Sequence, residues 1–252
     1  MEIGAAFILG VGGSLVGAGM MAANLKNLRR RRRIIDTPTS KITEAPGNAP
    51  VEIKGTAVPA QATITAPFTG RPAVWLRVKL EEHVQSGKSS TWRQIHTETH
   101  QVPFFIDDGS GERARVMPES ATVLLDDQKV ATSGTFNDAA PQLEAFLQSR
   151  GMKSTNFLGF NRSLRYSEAL LAPHDPIYAI GPSTRGGGGA QGPFREGPRG
   201  ELVMAAQGTG AGELIITNKT EAQIVASMLW PFVVGCILLG LGVIGLLVAL
   251  IA

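Results

Sequence analysis

Two long apolar stretches bracket the chain. Ile3 to Leu25 and Met228 to Ala252 contain no acidic or basic residue, and each exceeds the roughly 20 residues that span about 30 Å of hydrocarbon as an α-helix. Between them the pattern changes to short β-rich runs. Val51 to Ala57 is one, and Val74, Leu76, Val78 and Leu80 alternate with Trp75, Arg77, Lys79 and Glu81, the period-2 signature of a half-buried strand. A polar turn at Val84 to Ser90 and a second extended run from Trp92 to Ile106 complete an expected antiparallel hairpin. Asp107-Asp108-Gly109-Ser110-Gly111 reads as a tight turn, and Ala114 to Met117 as a strand ending at Pro118. After Ser133 the spacing of Leu143, Phe146 and Leu147 predicts a short amphipathic helix, with Asp138 as cap, Pro141 in its first turn and Gly151 as its stop. Strand-like runs resume at Ile177 to Ile180, Leu202 to Ala205 and Leu214 to Thr217, interrupted by the glycine-rich stretch Arg185 to Gly200. Thr220 with Gln223 forms a capping-box pattern that starts a helix leading into the second apolar stretch.

Charge refines the reading of the first stretch. A cleaved signal peptide carries basic residues before its apolar run. Here Glu2 precedes the run, and Lys26 with Arg29, Arg30, Arg31, Arg32 and Arg33 follow it, so an uncleaved anchor is expected. Basic residues beside a spanning helix stay cytoplasmic, which places the intervening domain on the cytoplasmic side, with the periplasmic or intermembrane-space side as the alternative. The same arginines suit anionic headgroups. No basic stripe with interleaved aromatics continues into the domain, so nucleic acid is not an expected partner. Gly13 and Gly17 form a small-x-x-x-small pair suited to close helix packing, and a homo-oligomer through the spanning helices, or a separate protein partner, is expected beside the bilayer itself. The composition between the anchors supports one domain. The proline-rich stretch from Ile34 to Pro50 reads as an extended linker that spaces this domain off the membrane.

Candidate chemistry is sparse. The sole cysteine, Cys236, lies in the second apolar stretch, which leaves no disulfide framework and no cysteine-built zinc site. His96, Glu98 and His100 share a face of a regular strand; they read either as zinc ligands with His83 across the hairpin or as an ordinary polar face. Asp107 and Asp108 read either as an acid–base pair or as turn residues. Trp92, Phe104, Phe105, Tyr166 and Tyr178 line a groove or fill a core. Gly186 to Gly189 lack the Gly-Lys-Ser/Thr ending of a phosphate-binding loop, and Gly109-Ser110-Gly111 sits in a hairpin turn rather than at a nucleophile elbow. No cofactor, metal site or catalytic residue is expected. An extended peptide joining a sheet edge is a further mode of recognition, with no signal for which edge.

The succession Leu80, Glu82, His83, Trp92, Val102, Pro103, Phe104, Asp108, Gly111, Arg113 or Arg115, Val116 and Pro118 resembles the GIDE-type domain, also called BAM for "beside a membrane". Tyr166, Glu168, Leu171, Pro173, Asp175, Tyr178 and Gly181 resemble a second segment of that family, with His174 where the family has glycine. The run Glu213 to Glu221 resembles the stretch before its second spanning helix. The family includes mitochondrial membrane-anchored E3 ubiquitin ligases and bacterial relatives. The resemblance implies a β-rich recognition or regulatory domain, and in the eukaryotic members a RING finger beyond the second anchor. A RING takes about eight Cys and His ligands for two zinc ions, which one cysteine and four histidines do not supply. The expectation is therefore a membrane-anchored α+β protein with a β-dominated mixed domain between two transmembrane helices: helix 1 over residues 1–27, a basic juxtamembrane segment and linker over 28–50, the domain over 51–221, and helix 2 with its lead-in over 222–252. Its expected role is a recognition, sensor or scaffold module, with a RING-less ligase accessory or a lipid- or small-ligand-binding surface protein as alternatives. The partner-binding candidates are Glu82, His83, Trp92, Pro103, Phe104, Asp108, Gly111, Pro118, Glu168, Pro173, Asp175, Tyr178 and Gly181.

Overall fold

A computed structural model describes residues 2–133, 141–155, 161–186, 200–208 and 212–251. The chain divides into two units, one of Met1–Pro38 with Lys219–Ala252 and one of Thr39–Asn218. Its elements are α1 (Glu2–Asp36), β1 (Pro50–Pro59), β2 (Ile64–Thr65), β3 (Pro72–Ala73), β4 (Trp75–Ser86), β5 (Ser89–Gln101), β6 (Phe104–Asp107), β7 (Arg113–Met117), β8 (Thr122–Leu124), β9 (Gln128–Ser133), α2 (Pro141–Ser149), β10 (Leu164–Leu171), β11 (Pro176–Arg185), β12 (Leu202–Ala205), β13 (Ile215–Thr217) and α3 (Glu221–Ile251). The fold is a β-dominated mixture of α and β, as the periodicities imply.

Within the first unit, α1 and α3 approach through glycine. A Cβ on Gly17 would lie 2.6 Å from the Leu239 nitrogen and 2.7 Å from the Gly235 oxygen, and one on Gly10 would lie 2.9 Å from the Gly242 oxygen. Backbones this close leave room for hydrogen alone, the arrangement by which helices pair where apolar burial gives no drive. The Gly13–Gly17 expectation is met within the chain, with Gly10 added to the same face. Among the described residues α3 is the one helix long and apolar enough to cross a membrane, over Ala222–Val248. Its capping box forms as the sequence implies: the Thr220 N–H donates to Gln223 Oε1 at 3.0 Å and the Gln223 N–H to Thr220 Oγ1 at 3.4 Å. Helix α1 does not stop at residue 27 but continues through the arginines to Asp36. Arginine is a good helix former, so basic composition marks no break here.

In the second unit, β1 pairs with β6 and also with β11, while β6–β7–β12–β11 follow one another. The sheet therefore closes into a ring of five strands, continued by β13 and β8 alongside. Ile53, Phe104, Ile106, Val116, Ala179 and Met204 belong to its buried apolar cluster. A second, open sheet runs β5–β4–β10–β9. Helix α2 covers one of its faces, with Phe146 against Leu76 and Val78, and Leu143 and Leu147 against Leu80, Leu164 and Tyr166. Gly151, at φ +67°, ends α2; Gly151 N–H donates to Gln148 and Met152 N–H to Leu147, the paired bonds of a Schellman stop. The proposed cap Asp138, and most of the glycine-rich stretch, lie outside the described residues.

Three expectations change. The run Trp92 to Ile106 is not one strand, because Pro103 has no N–H to continue a ladder; β5 ends before it and β6 belongs to the closed ring. The hairpin turn is shorter than Val84 to Ser90 suggests, since β4 reaches Ser86 and β5 starts at Ser89. Its polar residues belong to strands whose outer ends are exposed on both faces. Finally, residues 39–50 are not a free spacer. Ile42 and Ala45 are buried in the main core, and Thr39 bridges to Glu52 through both backbone and side chain.

Candidate recognition surface

Most of the residues singled out by the family motifs build the domain. Phe104 is fully buried and Pro103 marks the crossing between sheets. Asp107 and Asp108 are turn residues rather than an acid–base pair. Asp107 accepts from Gly109 N–H at 3.0 Å and Arg113 Nε at 2.9 Å, while Asp108 accepts from Ser110 N–H at 2.9 Å and Ile42 N–H at 2.8 Å. The Gly109 amide, then Arg113, holds the Asp107 carboxyl below its usual range. Burial works against the Asp108 charge, yet hydrogen bonds from Ser110 and Ile42 outweigh it and lower that carboxyl too. A general acid needs the opposite shift. Gly111 completes the turn at φ +96°, and Pro118 follows β7.

The second motif segment is equally architectural. Glu168, 2% exposed, accepts from Phe68 N–H at 2.8 Å and Thr69 Oγ1 at 2.7 Å and so fixes the loop before β3. Pro173, His174 and Asp175 turn the chain from β10 to β11. The Asp175 carboxylate accepts from Ala172 N–H at 2.8 Å, and His174 adopts φ +68°, which explains why glycine suits that position. Tyr178 is buried with Lys54 5.0 Å from its ring centre. A Cβ on Gly181 would lie 2.9 Å from Leu214 Cα, so glycine there admits a close crossing of backbones.

Of these candidates His83 and Trp92 meet on one exposed face of the open sheet, while the neighbouring Glu82 points to the other face. His83 stands opposite Trp92, ring centres 5.0 Å apart, and Arg165 stacks on Trp92 at 4.6 Å. Arg165 also binds Glu81 at 2.6 Å, and Lys79 links Glu81 to Asp127, which Arg77 holds at 2.8 Å. Burial opposes the Glu81 charge, but Arg165 and Lys79 lower its pKa below the usual range. This ladder occupies the sheet face away from α2. On the α2 side, Glu82 joins Arg162 at 2.7 Å and Arg93 at 3.0 Å, and the Arg162 bond keeps its carboxyl low.

His96, Glu98 and His100 do share a face, as strand geometry implies. Their centre is an ion cluster: Glu98 meets Arg150 at 2.6 Å and each imidazole at 3.2 Å. Burial disfavours the Glu98 charge, yet Arg150, His100 and His96 hold its carboxyl at about 2. His83 lies on the opposite face and does not converge with them. Arg150 and Arg165, which organise these clusters, carry no motif signal in the sequence. A third missed residue is Arg185, whose guanidinium donates to the Ala45 carbonyl at 3.1 Å and the Ile42 carbonyl and pairs with Glu112 at 3.0 Å. With Asp108 it clamps the segment that composition reads as a linker. The 600 Å³ cleft beside it, lined by Phe105, Asp107, Gly111, Glu112, Arg113, Gly200 and Glu201, presents carboxylates paired with arginines.

No curated protein and no solved structure matches the chain. The model of the GIDE family, described as E3 ubiquitin ligase, matches residues 77–250, which include the open sheet, most of the closed ring and α3. The chain belongs to the GIDE family.

Proposed function

We propose that this chain is a membrane-held recognition module of the GIDE family, in which α1 and α3 are the two anchors and the β domain is the working part. The supporting observation is an inside-out helix pair. Glycines face each other, while Leu15, Val16, Ile237, Leu241, Ile244 and Leu247 face outward, each more than half exposed. A surface of that kind requires lipid or a partner. The arginine run after the first apolar stretch supports a cytoplasmic side for the domain.

Recognition rather than catalysis is the role assigned to the domain. Its motif carboxylates are held by arginines, backbone N–H groups or the Thr69 hydroxyl and serve turns and crossings, and the 252 residues carry one cysteine and four histidines, short of a RING's ligand set. The family description favours one form of this reading, an accessory that brings targets to a separate ubiquitin-transfer catalyst. Incubating the protein in nanodiscs with a ubiquitin-charged conjugating enzyme tests it. No acceleration of ubiquitin discharge is expected from this chain alone, and clear acceleration overturns the non-catalytic reading.

A further inference from the structure

Beyond Leu25, helix α1 runs on without a break to Asp36, so the arginine run is held at a fixed height and not on a loose tail. At 1.5 Å per residue, Arg29 stands about 6 Å and Arg33 about 12 Å past the end of the apolar stretch. The headgroup layer of a bilayer is about 5–7 Å thick on each side of the hydrocarbon. Arginines in and just above that layer meet lipid phosphates, because the flexible stem lets a guanidinium turn back toward them. Five consecutive residues set about 100° apart pass right round a helix. The run is therefore a collar rather than a stripe.

Helix α3 gives an independent mark of the same level. The two helices are antiparallel, with Gly10 against Gly242, Gly17 against Gly235 and Leu239, and Met21 Sδ 3.9 Å from Cys236 Sγ. Continued by one more turn, this register sets Trp230 beside the end of the α1 apolar stretch. Trp230 is 69% exposed, and an outward-facing indole is the side chain that settles at the boundary of hydrocarbon and headgroups. The arginines then lie level with the first turns of α3. At this end the unit carries seven cationic residues, Lys26, Arg29 to Arg33 and Lys219, against two carboxylates, Asp36 and Glu221. Pairing both carboxylates within the unit still leaves most of the positive charge over.

We propose that residues 29–33 form a collar that binds anionic phospholipid headgroups around the helix pair. The positive-inside bias describes how such a helix is inserted, whereas the collar acts on the finished protein. Lipid is the occupant because the helix fixes the run at phosphate height, and the guanidinium fork matches phosphate oxygens. Net negative headgroups are preferred to zwitterionic ones, since the surplus charge attracts the former alone. The inference deepens the membrane-held reading and rests on α1 and α3 both spanning the bilayer.

The test reconstitutes the full chain in phosphatidylcholine bilayers with a trace of spin-labelled lipid, and electron spin resonance reads the fraction of label held at the protein surface. Labelled phosphatidylglycerol is expected to be favoured over labelled phosphatidylcholine at least about threefold at low salt, with the preference falling toward parity at about 1 M salt. Arg29→Gln through Arg33→Gln, made together, should abolish the preference, and the same five changes to lysine should keep most of it. Resistance to alkaline extraction reports insertion separately. An inserted wild-type protein with no preference, or with one that salt leaves unchanged, overturns the collar. So does an inserted glutamine variant that keeps the preference. In each case the anchor reading stands; a wild-type protein extracted at alkaline pH overturns that reading and the collar with it.

Discussion

His174 shows how a single backbone angle separates family pattern from local sequence. It is exposed, at φ +68°, in the turn where the related motif has glycine. Left-handed backbone costs an ordinary residue about 1–2 kcal/mol, partly offset by the greater unfolded freedom of glycine. His174→Gly is therefore expected to stabilise the chain by about 0.5–1 kcal/mol in denaturant unfolding of the nanodisc-bound protein; a loss of stability contradicts the strain. Glu168→Gln replaces one acceptor oxygen of a buried carboxylate by a donor facing Phe68 N–H or Thr69. The same assay should register a loss of about 1–3 kcal/mol. Glu98 contributes to the acid response of the open sheet, beside Glu81 and Glu82. Its folded pKa, about 2, lies below the unfolded carboxyl value of about 4.3. Its contribution is thus complete above that unfolded value and disappears as pH falls toward 2. Stability measured from pH 5 to 2 should fall less steeply in Glu98→Gln than in the parent, and identical slopes would show that Glu98 is not a contributor.

At the scale of elements, the sharpest expectation concerns the helix pair. Gly17→Ile drives a branched side chain against the Leu239 backbone and should cost about 1–3 kcal/mol in detergent unfolding. Gly12→Ala, where nothing lies within 4 Å, should be neutral or slightly stabilising. Equal effects would remove the glycine contact as the reason for the pairing. The Gly13–Gly17 spacing was legible because small residues four apart share a face. Strands β1, β4 and β7 and helix α2 were legible for the same kind of reason, a local period flanked by turn residues. Ring closure was not, since β1 meets β6 and β11 across about 50 and 120 intervening residues with no local sign of either partner. Strands β8 and β9 were missed because three to six half-exposed residues carry little periodic signal. The true length of β5 was obscured by its polarity: an edge strand exposed on both faces at its tip does not alternate.

For the whole molecule, the family and the β-dominated α+β class could be read from the chain, whereas the ion-paired clusters on the open sheet could not. Most motif residues turned out to hold turns and crossings, as Asp108, Gly181 and Glu168 illustrate, and the surface that remains is organised by Arg150, Arg162 and Arg165, which no motif marks. Composition likewise misread residues 39–50, because prolines and small polar residues signal the lack of regular structure, not the lack of packing. Arg185 and Asp108 supply what fixes that segment. The central claim is that this domain recognises a protein at the bilayer. The most direct measurement places a photo-crosslinking amino acid at Thr97 on β5, at Lys129 on β9 and at Ile237 on α3, each in the full chain in native membranes. The account predicts a discrete protein adduct from at least one of the two domain positions and lipid adducts from Ile237. Lipid adducts or none from both domain positions would contradict the central claim.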